Sequence, residues 1–255
     1  MHILVVMRLI PDLVEEVGIT TDGKGIDREW IDLKLNEFDD HALEEAILLK
    51  ESGGATVTAV ALDGEGVNRL LQSAIARGAD HAAKIVHDIP PPIPAAVAAE
   101  YLAAAVKIIG CDLVLTGVQT TEDLFGQLAP TLAARLDWPQ VSATSGVELG
   151  DKGLLVQQEY SGGFAATHAV SMPAVLGIQA ASRPPRYVSG TKLREAMSVK
   201  IRDIAVSVET APYGSEIMSL SLPESSGRVE MIDGTAEVVA GRLATILRDR
   251  GLVKR

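Results

Sequence analysis

Short apolar runs alternate with helical stripes along the first half of the chain, and that alternation leaves few ways to fold. His2-Ile3-Leu4-Val5-Val6-Met7 is apolar almost without a break, the pattern of a strand covered on both faces of a parallel sheet, and it is expected to be a central strand. After a polar loop Asp39 stands where a helix N-cap belongs. Leu43, Ala46, Ile47 and Lys50 follow at three- and four-residue spacing, and Ser52-Gly53-Gly54 ends the helix. Thr56 to Leu62 reads as the next strand. Val67, Leu70, Leu71, Ala74 and Ile75 form a second stripe, Gly78 is placed as a left-handed C′ residue, and His81 to His87 returns as strand. A proline-rich connection, Asp88 to Pro94, leads to a helix over Ala95 to Ile109 that Gly110 ends, and Asp112 to Thr116 is another buried strand running into Gly117. Strict alternation of this kind predicts a doubly wound, mostly parallel α/β sheet, with a ligand beyond the carboxyl ends of its strands.

The second half has a different rhythm. From Gly146 to Gln179 short β-like runs alternate with turns, notably Gly150-Asp151-Lys152-Gly153 and Ser161-Gly162-Gly163, as in antiparallel hairpins added to the sheet. After Arg183-Pro184-Pro185-Arg186-Tyr187 the period is lost until about Asp233, so residues 188–232 read as an extended arm. Val239, Leu243, Ile246 and Leu247 then share one helical face, with Asp233 or Thr235 as N-cap and Gly251 as the stop. A lone helix of that length is marginal in water, so its apolar face is expected to dock on this chain or a partner. The division is an α/β domain over residues 1–187 and a C-terminal arm and helix over residues 188–255.

Charge and composition narrow the function. A net charge of −11 repels a phosphate backbone or an anionic membrane, and no basic patch is large enough to reverse it. One cysteine, Cys111, excludes an internal disulfide and a cysteine-based metal site. Its place at the start of a strand suits a buried filler better than a nucleophile. The N-terminus lacks the pattern of a signal peptide, and Glu100 and Lys107 interrupt the alanine-rich stretch, so a cytoplasmic protein without membrane insertion is expected. His2, His41, His81, His87 and His168 have no metal-ligand spacing, and nucleophile-elbow, Walker A and Gly-x-Gly-x-x-Gly patterns are absent.

The most informative local feature is Gly117-Val118-Gln119-Thr120-Thr121-Glu122-Asp123-Leu124-Phe125-Gly126-Gln127-Leu128. Gly117 permits a tight turn at a strand end. Gly126, at the start of a helix running to Leu136, lets free backbone N–H groups approach a phosphate, and the helix dipole supplies local positive potential in an acidic protein.

Other segments carry a family resemblance. Asn36-Glu37-Phe38-Asp39-Asp40-His41-Ala42-Leu43-Glu44-Glu45-Ala46 resembles the Asn-Pro-Phe segment and Leu-Glu-Glu-Ala helix of electron transfer flavoprotein β subunits. Ala74-Ile75-Ala76-Arg77-Gly78-Ala79-Asp80 is similar to their Ala-Leu-Ala-Met-Gly-Ala-Asp. Asp137-Trp138-Pro139-Gln140, Val156 to Gly163 and Pro185-Arg186-Tyr187 follow in family order.

The resemblance implies a Rossmann-like sheet of the adenine nucleotide alpha hydrolase-like kind and a heterodimer with an α subunit. It implies a non-enzymatic electron carrier between dehydrogenases and an acceptor, with FAD held mainly by the α subunit. It further implies AMP in this chain, or a second FAD in electron-bifurcating relatives that react with NADH. The nucleotide would lie on Val6, on Asn36, Glu37, Phe38 and Asp39, near Leu62, and along Gly117, Val118, Gln119, Thr120, Thr121, Glu122, Asp123, Leu124, Phe125, Gly126, Gln127 and Leu128. The loop around Pro11 and Leu13 would approach the flavin. Dehydrogenase docking would fall on Val188, Ser189, Gly190 and Leu193, with Gly190 at the anchoring leucine's position and Leu193 as its substitute.

Departures from the family are Val118 for lysine, Leu124-Phe125 for Asp-Thr, and Gln158 for the arginine of Val-x-Arg-Glu. A freestanding adenine-nucleotide module or an ATP pyrophosphatase would share the α/β pattern, but the phosphate loops of both are missing.

Overall fold

A computed structural model describes residues 1–14, 16–151, 153–208, 217–223 and 229–253. In chain order the elements are β1 (His2–Val6), β2 (Leu9–Pro11), β3 (Leu33–Leu35), α1 (Glu37–Gly53), β4 (Thr56–Leu62), α2 (Val67–Arg77), β5 (His81–Val86), α3 (Ala95–Ile109) and β6 (Leu113–Gly117). There follow α4 (Leu128–Leu136), β7 (Gln140–Gly150), β8 (Gly153–Glu159), β9 (Ala165–Val170), β10 (Ala174–Ile178), α5 (Gly190–Ala196), β11 (Arg202–Ala205) and α6 (Ala236–Asp249). Nine strands form one sheet in the order β11-β5-β4-β1-β6-β10-β7-β8-β9, and β2 pairs with β3 in a separate ribbon.

The apolar run at the N-terminus is an interior strand as expected, parallel to β4 on one side and β6 on the other, with Ile3, Leu4 and Val5 fully buried. Burial on both faces explains why the run is continuous and not alternating. α1 and α2 cover one face over Val5, Val57, Leu71 and Leu115. α3 and α4 cover the other over Leu4, Val60, Leu102 and Leu132. Chain order reverses between β1 and β6, since β4 and β5 lie to one side and β6 and β10 to the other. A crevice at the carboxyl ends of those strands is the expected place for a ligand.

Four sequence expectations are corrected. α1 begins at Glu37 with Asn36 as N-cap, three residues before the expected cap at Asp39; Asp39 is needed elsewhere, as shown below. β10 is no hairpin strand: it lies parallel between β6 and β7, and only β7-β8-β9 is an antiparallel meander. The arm after Tyr187 is not wholly extended, because α5 packs against α2 and β11 joins the sheet edge parallel to β5. Gly78 ends α2 at φ 130° and ψ 7°, a positive φ open to glycine but outside the left-handed helical well. The C-terminal helix forms with Thr235 as N-cap, yet none of its residues is buried among the described residues.

Cys111 is half-buried, and burial, helped by Asp112, pushes its thiol up to about 12, which suits an inert filler. The histidines are satisfied locally where the structure gives them partners. The His2 ring lies 2.6 Å from Gly110 O and 2.8 Å from Thr58 Oγ1, and His41 Nδ1 accepts from Ala181 N at 3.1 Å. Among the described residues no helix is long and apolar enough to cross a membrane, and no cluster of histidine, cysteine and carboxylate has metal-site geometry.

Candidate functional site

A cleft of about 1390 Å³ opens where the sheet reverses order. Its floor is Val6 and Leu62 at the ends of β1 and β4, and one apolar wall comes from Ile89, Ile93, Ala98 and Leu102. The β2–β3 ribbon with residues 28–32 forms a second wall, and the Asp63-Gly64-Glu65-Gly66 loop with α2 a third.

The floor is locked from behind by one buried carboxylate. Asp39 is fully buried and accepts from Arg8 Nε at 2.9 Å, Arg8 Nη2 at 2.7 Å and Gly117 N at 2.8 Å, while Arg8 Nη2 also donates to Gly117 O at 3.0 Å. Asn36 Nδ2 donates to Gln119 O at 3.0 Å, and Asn36 N to Arg8 O at 3.0 Å. The ends of β1 and β6 and the start of α1 are thereby one rigid unit. Gly117 has to be glycine, since a Cβ there would lie 2.5 Å from Asp39 Oδ1 and 2.7 Å from Asp39 N.

On the neighbouring strand ends His87 has a defined tautomer. Ile89 N donates to Nδ1 at 3.1 Å, so Nε2 carries the proton and donates to Asp63 O at 2.8 Å. The ring meets Tyr101 edge to face at 5.8 Å. On the ribbon, Lys34 Nζ lies 2.9 Å from Asp12 Oδ1, and that hydrogen bond, with Val14 N, holds the Asp12 carboxyl below its usual range.

The loop after β6 is closed on itself. Thr120 Oγ1 accepts from Glu122 N at 3.2 Å and Asp123 N at 2.9 Å, and Asp123 then accepts from Gln127 N at 3.0 Å and Leu128 N at 3.1 Å. α4 starts at Leu128, not Gly126, and Pro130 in its first turn has no N–H. The expectation of free donors at this helix start is therefore corrected: the Asp123 carboxylate, favoured there by the helix dipole, already occupies two of them. Glu122 contacts Arg28, which ties the loop to the wall that carries Trp30.

The comparisons with known proteins decide the family. The electron transfer flavoprotein domain matches residues 25–209. The electron transfer flavoprotein subunit beta of Methylophilus methylotrophus is 30% identical over 98% of both chains. The Bacillus subtilis (strain 168) protein of that name is 28% identical over 99% of this chain and 100% of its own, and the mitochondrial one of Oryza sativa subsp. japonica 31% over 80% and 81%.

The chain belongs to the electron transfer flavoprotein β-subunit family.

In this family member the expected nucleotide positions fall into three groups. Val6, Leu62, Thr120, Glu122, Asp123 and Leu128 line the cleft. Asn36, Asp39, Gly117 and Gln119 stand behind it as the lock just described, with Phe38 packed where a Gly117 Cβ would be. Glu37, Val118, Thr121, Leu124, Phe125, Gly126 and Gln127 are outside the lining, and Leu124 and Phe125 are exposed.

Of the docking positions, Ser189 caps α5, Gly190 is its first residue and is open to solvent, Val188 is half-buried, and Leu193 lines the cleft with Met197. Sequence reasoning missed Arg8, Arg28, Trp30, Asp63 to Gly66, Arg69 and His87. Only Arg8, a lone cation directly after the first strand, and the Gly64 and Gly66 pair gave a sequence signal. The Gln158 departure forms a small hub instead of an ion pair, donating to Ser142 O at 2.8 Å and accepting from Tyr160 Oη at 2.6 Å.

Proposed function

We propose that this chain is the β subunit of a heterodimeric electron transfer flavoprotein, that its cleft holds an adenine nucleotide, and that an α subunit keeps most of the working FAD. The single observation that carries the nucleotide part is the cleft at the order reversal of the sheet, apolar on the Ile89, Ile93 and Leu102 side and bordered by Arg69, while Arg8 and Arg28 in the same lining already hold Asp39 and Glu122. A purine suits the apolar wall and a phosphate Arg69. Arg69 is exposed and has no hydrogen bond or ion pair among the described residues, so it is available to an anion. A phosphate at the start of α4 would instead have to take the place of Asp123.

The chain's own part is positioning. The Arg8–Asp39–Gly117 lock keeps the floor rigid, His87 fixes the spacing of the β4 and β5 ends, and the exposed Leu13 beside the ribbon is offered to the flavin side of the partner. FAD supplies the redox chemistry when bound. No residue of this chain is assigned a covalent step, and dehydrogenase docking is proposed for Val188, Ser189 and Gly190, Leu193 being turned into the cleft.

A second reading has its own observation. About 1390 Å³ exceeds the roughly 300–1,000 Å³ of ordinary small-molecule pockets, which favours a dinucleotide in this cleft, as in an electron-bifurcating form. The test is to coexpress the chain with its α subunit, release the ligands by denaturation and count them. One FAD with one AMP supports the first reading, two FAD support the second, and a colourless heterodimer without nucleotide overturns both.

A further inference from the structure

The cleft does not stop at the sheet. It continues between α2 and α5, where Leu70 and Ser73 face Leu193 and Met197. α5 has seven residues, too few to persist alone in water, so what holds it decides what it does. Its far end is fastened: Gln72 Nε2 donates to Met197 O at 2.9 Å and Val199 O at 3.1 Å, Ala196 is buried, and Ile204 is buried where β11 pairs with β5. At the near end Ser189 caps the helix, Oγ accepting from Lys192 N at 3.4 Å and the carbonyl from Leu193 N at 3.1 Å, and Arg186, three residues earlier, is held by Glu44 and Glu51. Met197 keeps 46% of its surface, and Leu193 is half-buried. The helix thus turns two apolar side chains toward space that a ligand would fill.

We propose that Leu193 and Met197 are ligand-contacting residues, an apolar wall that closes the far side of the site, so that a nucleotide in the cleft seats α5. The inference rests on the reading of the cleft as an adenine-nucleotide site. An aromatic base against a thioether and a leucine gains apolar contact beyond that of Val67 and Leu70 on α2 and of Val6 and Leu62 on the floor. The ligand then gives the cleft-facing side chains of this short helix a partner, and occupancy of the cleft is read out in the order of residues 190–197.

The test uses the full chain with any subunit that copurifies, with AMP as the probe. Amide exchange of residues 191–199 is followed with and without AMP, and AMP affinity is measured beside it. We expect exchange there to slow about fivefold or more on binding. The Leu193→Ala/Met197→Ala double variant is expected to bind AMP about tenfold more weakly, and Met197→Leu about as well as the unaltered chain. AMP bound with unchanged exchange at 191–199 overturns the wall, whatever the variants do, and that measurement needs no variant to fold. AMP failing to bind the unaltered chain at all overturns the nucleotide reading, and the wall with it.

Discussion

Arg8 holds the carboxylate of Asp39 by two hydrogen bonds, Nε at 2.9 Å and Nη2 at 2.7 Å, beneath the floor of the cleft. Asp39 is fully buried and Arg8 only 19% exposed, so neither charge has water to fall back on. Asp39→Asn keeps the volume but leaves the guanidinium without its counter-charge. Removing one partner from a buried pair costs about 3–5 kcal/mol, and the partial exposure of Arg8 lowers the expectation to about 2–3 kcal/mol. Urea unfolding of the variant should show a lower midpoint with an unchanged slope. An equal midpoint would mean that the pair does not hold the strand ends together.

Asp80 gives the fold a defined acid response. Partial burial works against its charge, but the ammonium of Lys50 at 2.6 Å and the N–H of Val57 at 2.9 Å outweigh that, so the folded state holds its carboxyl below its ordinary value. A lowered carboxyl contributes stability that is present above its unfolded value and lost as pH falls through the folded one. Asp80→Asn should therefore be less stable than the unaltered chain at pH 7, and the difference should shrink as pH drops below about 4. Thermal unfolding at pH 7, 5 and 3 checks this; a difference that stays constant across the series contradicts the assignment.

How much of this was legible in the sequence depends on what ended each element. α3 over Ala95–Ile109 and β4 over Thr56–Leu62 agree residue for residue with the sequence reading, because Pro94, Gly110 and Gly54 punctuate them locally. Asp39 looked like a cap because aspartate caps well, but the choice of Asn36 is made by tertiary demand: Gly117 and Arg8 need that carboxylate inside. β10 is a five-residue apolar run whose partners, β6 and β7, lie far along the chain or face it in parallel, and a run of that length says nothing about direction. β11, four residues with only Ile204 buried, has no period to read. In the cleft, the glycine loop announced itself, whereas Arg69 and His87 are solitary residues that only the sheet order brings together.

Gly126 sits at φ 61°, and a Cβ added there would meet Val118 O at 2.5 Å. A β-branched side chain adds strain to a backbone conformation it rarely adopts, on the order of 1–3 kcal/mol. Gly126→Val must then displace the Val118 to Gln127 loop, which places Thr120, Glu122 and Asp123 along the cleft. Nucleotide released on denaturing the purified variant should fall to about a tenth of the unaltered amount, a change of about 1.4 kcal/mol in binding. Undiminished release would remove this loop from the site.

Asp123 makes the sharpest case, because it sets stability against binding. Its carboxylate accepts from Gln127 N and Leu128 N, the donors that a phosphate at the start of α4 would need. Asp123→Asn retains an acceptor oxygen but removes the charge that the helix dipole favours, so the chain should lose about 0.5–1 kcal/mol of stability. For a phosphate in the cleft, which Asp123 also lines, the same change removes a like charge. AMP affinity should therefore rise several-fold while adenosine affinity, which involves no anion, stays where it was. Titrating both ligands separates the outcomes: a parallel rise in both would point to a looser cleft, and a fall in AMP affinity alone would make Asp123 a nucleotide ligand in its own right. Only a gain confined to the phosphate-bearing ligand fits a carboxylate whose charge opposes a phosphate in the cleft.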